Sequence, residues 1–186
     1  YKPLTWLTWN LIDAGFGPDP HAYHALNLAL HAVNSCLLCL LLIRIGRIVR
    51  PPEGAAEEQR LSFIAAGAAL LWAVHPLRVE PVAWISCTAH GLCFCFCLLA
   101  TLRYLKTDFS TPVWRQSAYW HALLLFFGAL LTFPLPLGYG AVFLALNVFP
   151  LRRLPLAGIR DLTGSQARRV AGALLPFLGL SLLMAA

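Results

Sequence analysis

Apolar residues fall in long blocks along this chain, and polar residues fall in short stretches between them. A bilayer core of about 30 Å needs roughly 20 apolar residues as helix, because unpaired backbone groups find no water there. Residues 22–43 and 82–102 meet that length, and 61–74 approaches it if Arg60 snorkels. Residues 117–133 and 135–149 come next, split by Pro134 and Pro136, and 170–186 opens a sixth apolar block. Residues 1–20 carry Trp6, Trp9 and Phe16 but are broken by Pro3, Gly15, Gly17, Pro18 and Pro20. They predict an outside, interfacial, partly helical segment with aromatic anchors. Pro51–Gln59 is expected to be a polar linker. The expected fold is all-α: a polytopic transmembrane helix bundle, one domain over residues 1–186 with about six spans. The chain opens at Tyr1 and stops within an apolar run, so it reads as a piece of a longer protein.

Composition agrees with that picture. The chain is 59% hydrophobic and 12% charged, about half the charge of an ordinary soluble domain, which excludes a disordered chain, a polar-surfaced soluble enzyme and a disulfide scaffold. The formal charge of +6 would suit nucleic acid, but the basic residues sit in the loops between apolar blocks, so no nucleic-acid partner is expected. Successive loops alternate in basic content. The rich loops hold Arg44, Arg47, Arg50 and Arg60, then Arg103, Lys106 and Arg115, then Arg152, Arg153, Arg160, Arg168 and Arg169. The poor ones hold Lys2, then Arg78, then none. The positive-inside rule assigns the rich set to the cytoplasm.

Two polar constellations stand out. His24, Asn27, His31 and Asn34 lie at i, i+3, i+7 and i+10, on one face of a helix. Polar side chains in a span face the bundle or a cavity. Interhelical hydrogen bonding, a substrate-lining face and ligation of a metal or pigment by a histidine all remain open. The second constellation is His75-Pro76-Leu77-Arg78-Val79-Glu80-Pro81, an outside turn in which Pro76 and Pro81 are expected to stop the helices on either side. An Arg78–Glu80 ion pair and an oxyanion-recognition site are the two readings. The cysteines Cys36, Cys39, Cys87, Cys93, Cys95 and Cys97 lack a second placed ligand pair and read as small apolar packing, so no metal site is expected from them.

Three stretches carry a resemblance. They are Tyr1–Thr5 with His24, Asn27 and His31; Ala73–Ser86, which contains the HPLRVEPVAW run; and Asn147–Leu154. Together they resemble the transmembrane-and-tetratricopeptide-repeat, O-mannosyltransferase-like branch of the GT-C glycosyltransferases and their bacterial relatives. The resemblance implies many spans, an outward-facing active site bearing His75 and Glu80, and a polyprenyl-phosphate sugar donor. The chain departs from that family at four places. A charged Arg-Ala-Asp or Arg-Lys-Asp cluster is replaced by Thr88-Ala89-His90, a lysine by Phe133, and an aspartate by Asn147. Charges inside a membrane protein are costly unless they serve function, so their joint loss implies relaxed catalytic demand.

Three functions compete on this reading. The first is a catalytically inactive GT-C-like protein acting as a structural or accessory subunit of a larger membrane assembly, with the bilayer and other membrane subunits as partners. The second is an active polyprenyl-phosphate-sugar-dependent glycosyltransferase, with Lys2, His75, Arg78 and Glu80 at the lipid phosphate and a divalent metal as cofactor. The third is a transporter or pigment-binding subunit built on His24 and His31. The expected location is a bacterial inner membrane with the His75–Glu80 turn outside.

Overall fold

The computed structural model describes residues 2–154 and 164–185. Tyr1, Arg160 and Ala186 lie outside the described residues, so that part of the sequence motif, of the last basic loop and of the last apolar block has no structural counterpart here. Among the described residues eight helices succeed one another: α1 (Pro3–Phe16), α2 (Pro20–Val49), α3 (Ala55–Ala73), α4 (Val79–Ala83), α5 (Thr88–Tyr104), α6 (Ser117–Thr132), α7 (Gly140–Val148) and α8 (Ser165–Ala185). Short 3-10 turns cover Pro76–Arg78, Ile85–Cys87, Val113–Arg115 and Leu135–Tyr139. No strand occurs among the described residues.

Local chemistry sets the boundaries. Pro3 and Pro20 open α1 and α2, where a missing N–H costs nothing. Asp19 caps α2 by accepting from His21 N at 3.0 Å. Gly17, at φ +70°, takes the left-handed turn between them. The segment 51–59 is helical from Ala55 onward, contrary to the linker expected there. Glu57 and Glu58 occupy the first turn of α3, where they complement the helix dipole, and pair with Arg50 and Arg47 at the end of α2.

Among the described residues three helices are long and apolar enough to cross a membrane: α2, Ile85–Tyr104 and Gln166–Ala185. A fourth span results if α3 and Pro76–Ala83, bent by 64° at the break between them, count as one. The expectation of six is corrected for a backbone reason. Trp84 (φ −93°, ψ 122°) interrupts 82–102 so that its span begins at Ile85, and Phe133 (φ −159°, ψ 147°) with Pro134 separates α6 from the Leu135–Tyr139 turn and α7. The 16 residues of α6 reach only about 24 Å, and α7 has 9 residues. Arg168 and Arg169, expected in a loop, stand in the first turns of α8.

The core lies between α5, α6, α7 and α8. Tyr104, Phe126, Phe143 and Phe177 are fully buried there, with Phe143 and Phe177 ring centroids 4.6 Å apart. Gly128 lets α6 approach Phe96 of α5, and Gly46 lets α2 approach Leu61 of α3, the small-residue contacts that membrane helices use. Leu28, Leu40, Phe63, Ile64, Leu71 and Leu124 stay exposed on the outer faces. Such an apolar exterior fits hydrocarbon rather than water, and the chain is an all-helical integral membrane protein.

Candidate functional site

Two residues on the polar face of α2, Asn27 and His31, are aimed at places where other helices stop. The last carbonyls of a helix have no partner within it, and in hydrocarbon they must find one elsewhere. Asn27 donates from Nδ2 to Trp84 O at 2.9 Å, with Val82 O at 3.5 Å, at the end of α4. His31 Nε2 lies 3.1 Å from Ala73 O, the last residue of α3; since a carbonyl only accepts, this partner assigns the ring proton to Nε2. Asn34 donates to Gly91 O at 2.9 Å. A Cβ at Gly91 would stand 3.5 Å from Leu30, an ordinary van der Waals contact, so α2 and α5 lie close here without requiring a glycine. Thr88 Oγ1 shares its single proton between Asn27 Oδ1 (2.7 Å) and Ile85 O (2.8 Å). His24, one turn earlier, is exposed.

The His75–Pro81 turn differs from expectation. α3 ends at Ala73 and His75 is extended before Pro76, as expected of that proline, but Pro81 is the third residue of α4, in a first turn that needs no N–H, and stops no helix. His75 is exposed and its Nδ1 accepts from Leu77 N at 3.2 Å, so the ring caps the turn. Arg78 and Glu80 do not pair: among the described residues the ion pairs are Arg47–Glu58 and Arg50–Glu57. Arg78 instead lies over the Trp72 ring, 5.3 Å from its centroid, while Glu80 is exposed.

A cavity of about 70 Å³ forms where these elements meet, lined by Asn27, His31, Asn34, Trp72, Arg78 and His90 among others. It joins three residues of the α2 face to Arg78 and leaves His24, His75 and Glu80 outside its lining. Three polar atoms on its walls are buried with no hydrogen-bond partner among the described residues: Asn34 Oδ1, Arg78 Nε and His90 Nδ1. The volume holds a few waters rather than a sugar ring. Trp72, stacked between His31 (5.4 Å) and Phe94 (5.3 Å), is the residue that sequence reasoning missed. Its only sequence signal was its position just before the His75 turn.

The departure positions fall at two ends of the bundle. Phe133 packs against His90 with centroids 4.3 Å apart, and Lys2 Nζ stands 4.3 Å over the same ring. Thr5 Oγ1 donates to Thr132 O at 2.9 Å and fastens α1 there. Asn147 is fully buried at the other end of α5, roughly 24 Å from Thr88 along the helix. It donates to Tyr104 Oη (2.6 Å) and Phe143 O (2.8 Å) and accepts from Arg153 Nη1 at 3.3 Å. Cys93 and Cys97 share one buried face against Ala129, while Cys95 is only half-buried. Among the described residues no three His, Cys, Asp or Glu side chains are grouped to hold a metal ion.

No family model matches the chain, and no solved structure does. Curated relatives do. The chain is 33% identical over 137 residues to protein O-mannosyl-transferase TMTC4 of Homo sapiens, a match covering 69% of this chain and 18% of that protein. It is 34% identical over 116 residues to protein O-mannosyl-transferase Tmtc3 of Drosophila melanogaster (58% and 12%) and 36% identical over 104 residues to TMTC1 of Homo sapiens (56% and 10%). The chain thus spans less than a fifth of the length of the curated relatives it matches.

Proposed function

We propose that this chain is the membrane portion of a GT-C-like protein that does not itself transfer sugar and serves as a structural or accessory subunit of a larger membrane assembly. One observation carries the reading: Phe133, at the position where the family it resembles has a lysine, is packed between Lys2 and His90. Transfer from a polyprenyl-phosphate donor builds negative charge on the leaving phosphate and needs a preorganised cation there, together with a base for the acceptor hydroxyl. Here Lys2 and Arg78 lie against aromatic rings, and Glu80, exposed in the first turn of α4, has no cationic partner among the described residues. In this reading Asn27, His31 and Asn34 are scaffold. The exposed apolar faces meet lipid and neighbouring subunits in a bacterial inner membrane, with the arginine-rich loops cytoplasmic.

A second reading has its own observation. Arg78 Nε and His90 Nδ1 are unpartnered beside the cavity, and the relatives are named protein O-mannosyl-transferases. These favour an active enzyme in which Lys2, His75, Arg78 and Glu80 hold a lipid phosphate. The test is sugar transfer from a polyprenyl-phosphate mannose donor by the full-length purified protein, run beside Glu80→Gln. The expected result is no turnover and co-purification with other membrane proteins in fixed stoichiometry. Turnover in the parent that the variant abolishes establishes the enzyme and overturns the accessory reading.

A further inference from the structure

At the Tyr104 end of the bundle, two adjoining cavities open between the loop after α5 and the start of α8. The first, about 490 Å³, is lined mostly by polar residues, including Thr107, Asp108, Arg153 and Gln166. The second, about 450 Å³, is walled mainly by apolar ones, including Val113, Trp114 and Gly172, with Arg168 at its side. Phe109, Ser110 and Arg169 line both, so the two form one cleft with a polar and an apolar chamber.

The charge in the cleft is net positive. Among the described residues that line it, Arg153, Arg168 and Arg169 face a single carboxylate, Asp108. That carboxylate is occupied locally, accepting from Ser110 N at 2.8 Å and from Ser110 Oγ. Arg153 is held rigidly, stacked 3.9 Å over Phe109 and donating to Asn147 Oδ1 and Thr107 O. Arg168 and Arg169 are exposed, the latter reaching Phe109 O only at 3.4 Å. Thr107 is 2% exposed, lines the polar chamber, and its Oγ1 has no hydrogen-bond partner among the described residues. An unpaired buried hydroxyl is unfavourable in an apolar surrounding, so the wall at Thr107 favours a polar over an apolar occupant of that chamber.

The surroundings identify the ligand's other half. Trp114 is 65% exposed beside the apolar chamber, and Trp120, also exposed, donates its indole N–H to Trp114 O at 2.8 Å. Exposed tryptophans at the end of a membrane helix mark the headgroup level. Gly172 of α8 leaves the apolar chamber open, since a Cβ built there meets nothing within 4 Å.

We propose that this cleft binds an anionic phospholipid of the adjacent leaflet. Its phosphate lies against Arg168 and Arg169, and its glycerol and upper acyl carbons lie on Phe109, Val113 and Trp114 beside Gly172. Basic pockets between membrane helices take anionic headgroups through the attraction of the phosphate, and a zwitterionic lipid gains less from it. The amphipathic lining favours a lipid over a free anion.

The test titrates the delipidated full chain, in nonionic detergent, with phosphatidylglycerol or phosphatidylcholine, and counts bound lipid by native mass spectrometry. Phosphatidylglycerol is expected to bind at least about tenfold more tightly than phosphatidylcholine. The double change Arg168→Gln/Arg169→Gln should weaken it by about tenfold or more. Gly172→Leu should block it by filling the apolar chamber, and it has better helix propensity than the parent, so it stays folded. Equal binding of the two lipids, or parental binding in both variants, overturns the proposal. So does displacement of the lipid by millimolar inorganic phosphate, which would identify a free-anion site. If the double change fails to fold, the leucine variant still decides.

Discussion

Asn27→Ala removes the side chain that secures the break between α4 and α5. Two good hydrogen bonds disappear with it, Nδ2 to Trp84 O at 2.9 Å and Thr88 Oγ1 to Oδ1 at 2.7 Å. Intramembrane hydrogen bonds have averaged about 0.6 kcal/mol, with a maximum near 1.7. The Trp84 carbonyl is then stranded at a helix end, which costs about 1–3 kcal/mol more, whereas Thr88 keeps Ile85 O. The total comes to about 2–4 kcal/mol, more than an ordinary polar contact in a span. A cycle of Asn27→Ala, Thr88→Val and the double change isolates the Thr88 bond, and its coupling should be about 0.6–1.7 kcal/mol. His24→Ala, at an exposed position of the same helix, should cost under about 0.5 kcal/mol. The assay is equilibrium unfolding in mixed lipid–detergent micelles. If Asn27→Ala and His24→Ala are equally mild, α2 does not hold the break and the argument fails.

Other predictions rest on single contacts. Hydrogen bonds from Ser110 hold the Asp108 carboxylate below its ordinary range, so its contribution to loop order is present above about pH 3.9 and lost as pH falls through the lower folded value; Trp114 emission should shift on acidification in the parent but not in Asp108→Asn. Gly128→Leu should destabilise by about 1–3 kcal/mol, because even a bare Cβ would sit 3.1 Å from the Phe96 ring, whereas Gly15→Ala, in open space, should leave the melting point unchanged or raise it. Cysteines placed at 47 and 78 in a background without native cysteines should label from the cytoplasmic and outer sides respectively; labelling of position 78 from the cytoplasm would refute the charge-based orientation.

The helix class and the shared face of Asn27, His31 and Asn34 were legible because both depend on periodicity. The partners of those residues were not. A spacing of three, four and three puts side chains on one stripe but says nothing of whether a carbonyl at a helix end or a bound ligand meets them. The span at 82–102 misled for a related reason. Hydropathy counts apolar side chains, and Val82, Ala83 and Trp84 are apolar, yet the backbone leaves the helix at Trp84 and a polar atom from α2 makes that break tolerable. The expected Arg78–Glu80 pair failed because residues two apart do not face each other on helical turns, and Trp72 offered Arg78 a ring instead. Trp72 itself was hidden, since an aromatic residue in an apolar run carries no sign of what stacks on it.

The positions at which the chain departs from the family it resembles do not all bear on one site. In sequence, the uncharged residues at 88, 133 and 147 and the histidine at 90 read as a single set, at positions where the family the chain resembles carries charge. In the fold, Thr88, His90 and Phe133 gather at the Asn27 end of α5, while Asn147 lies roughly 24 Å away beside Tyr104. An aspartate at 147 would stand 3.3 Å from Arg153 and form an ion pair there, so its replacement by asparagine keeps the hydrogen bond and loses only a local charge. A buried ion pair contributes little net stability once desolvation is counted, so that exchange is structurally cheap. It also leaves Arg153 with a formal positive charge that no carboxylate at 147 cancels, facing the cleft that also contains Arg169. The case against sugar transfer therefore rests on three positions at one end of the bundle. The fourth exchange belongs to the other end, where it raises the positive potential of the proposed lipid cleft. A change of Asn147→Asp should then weaken binding of phosphatidylglycerol there while leaving the Asn27 network, and the cost of Asn27→Ala, unaltered.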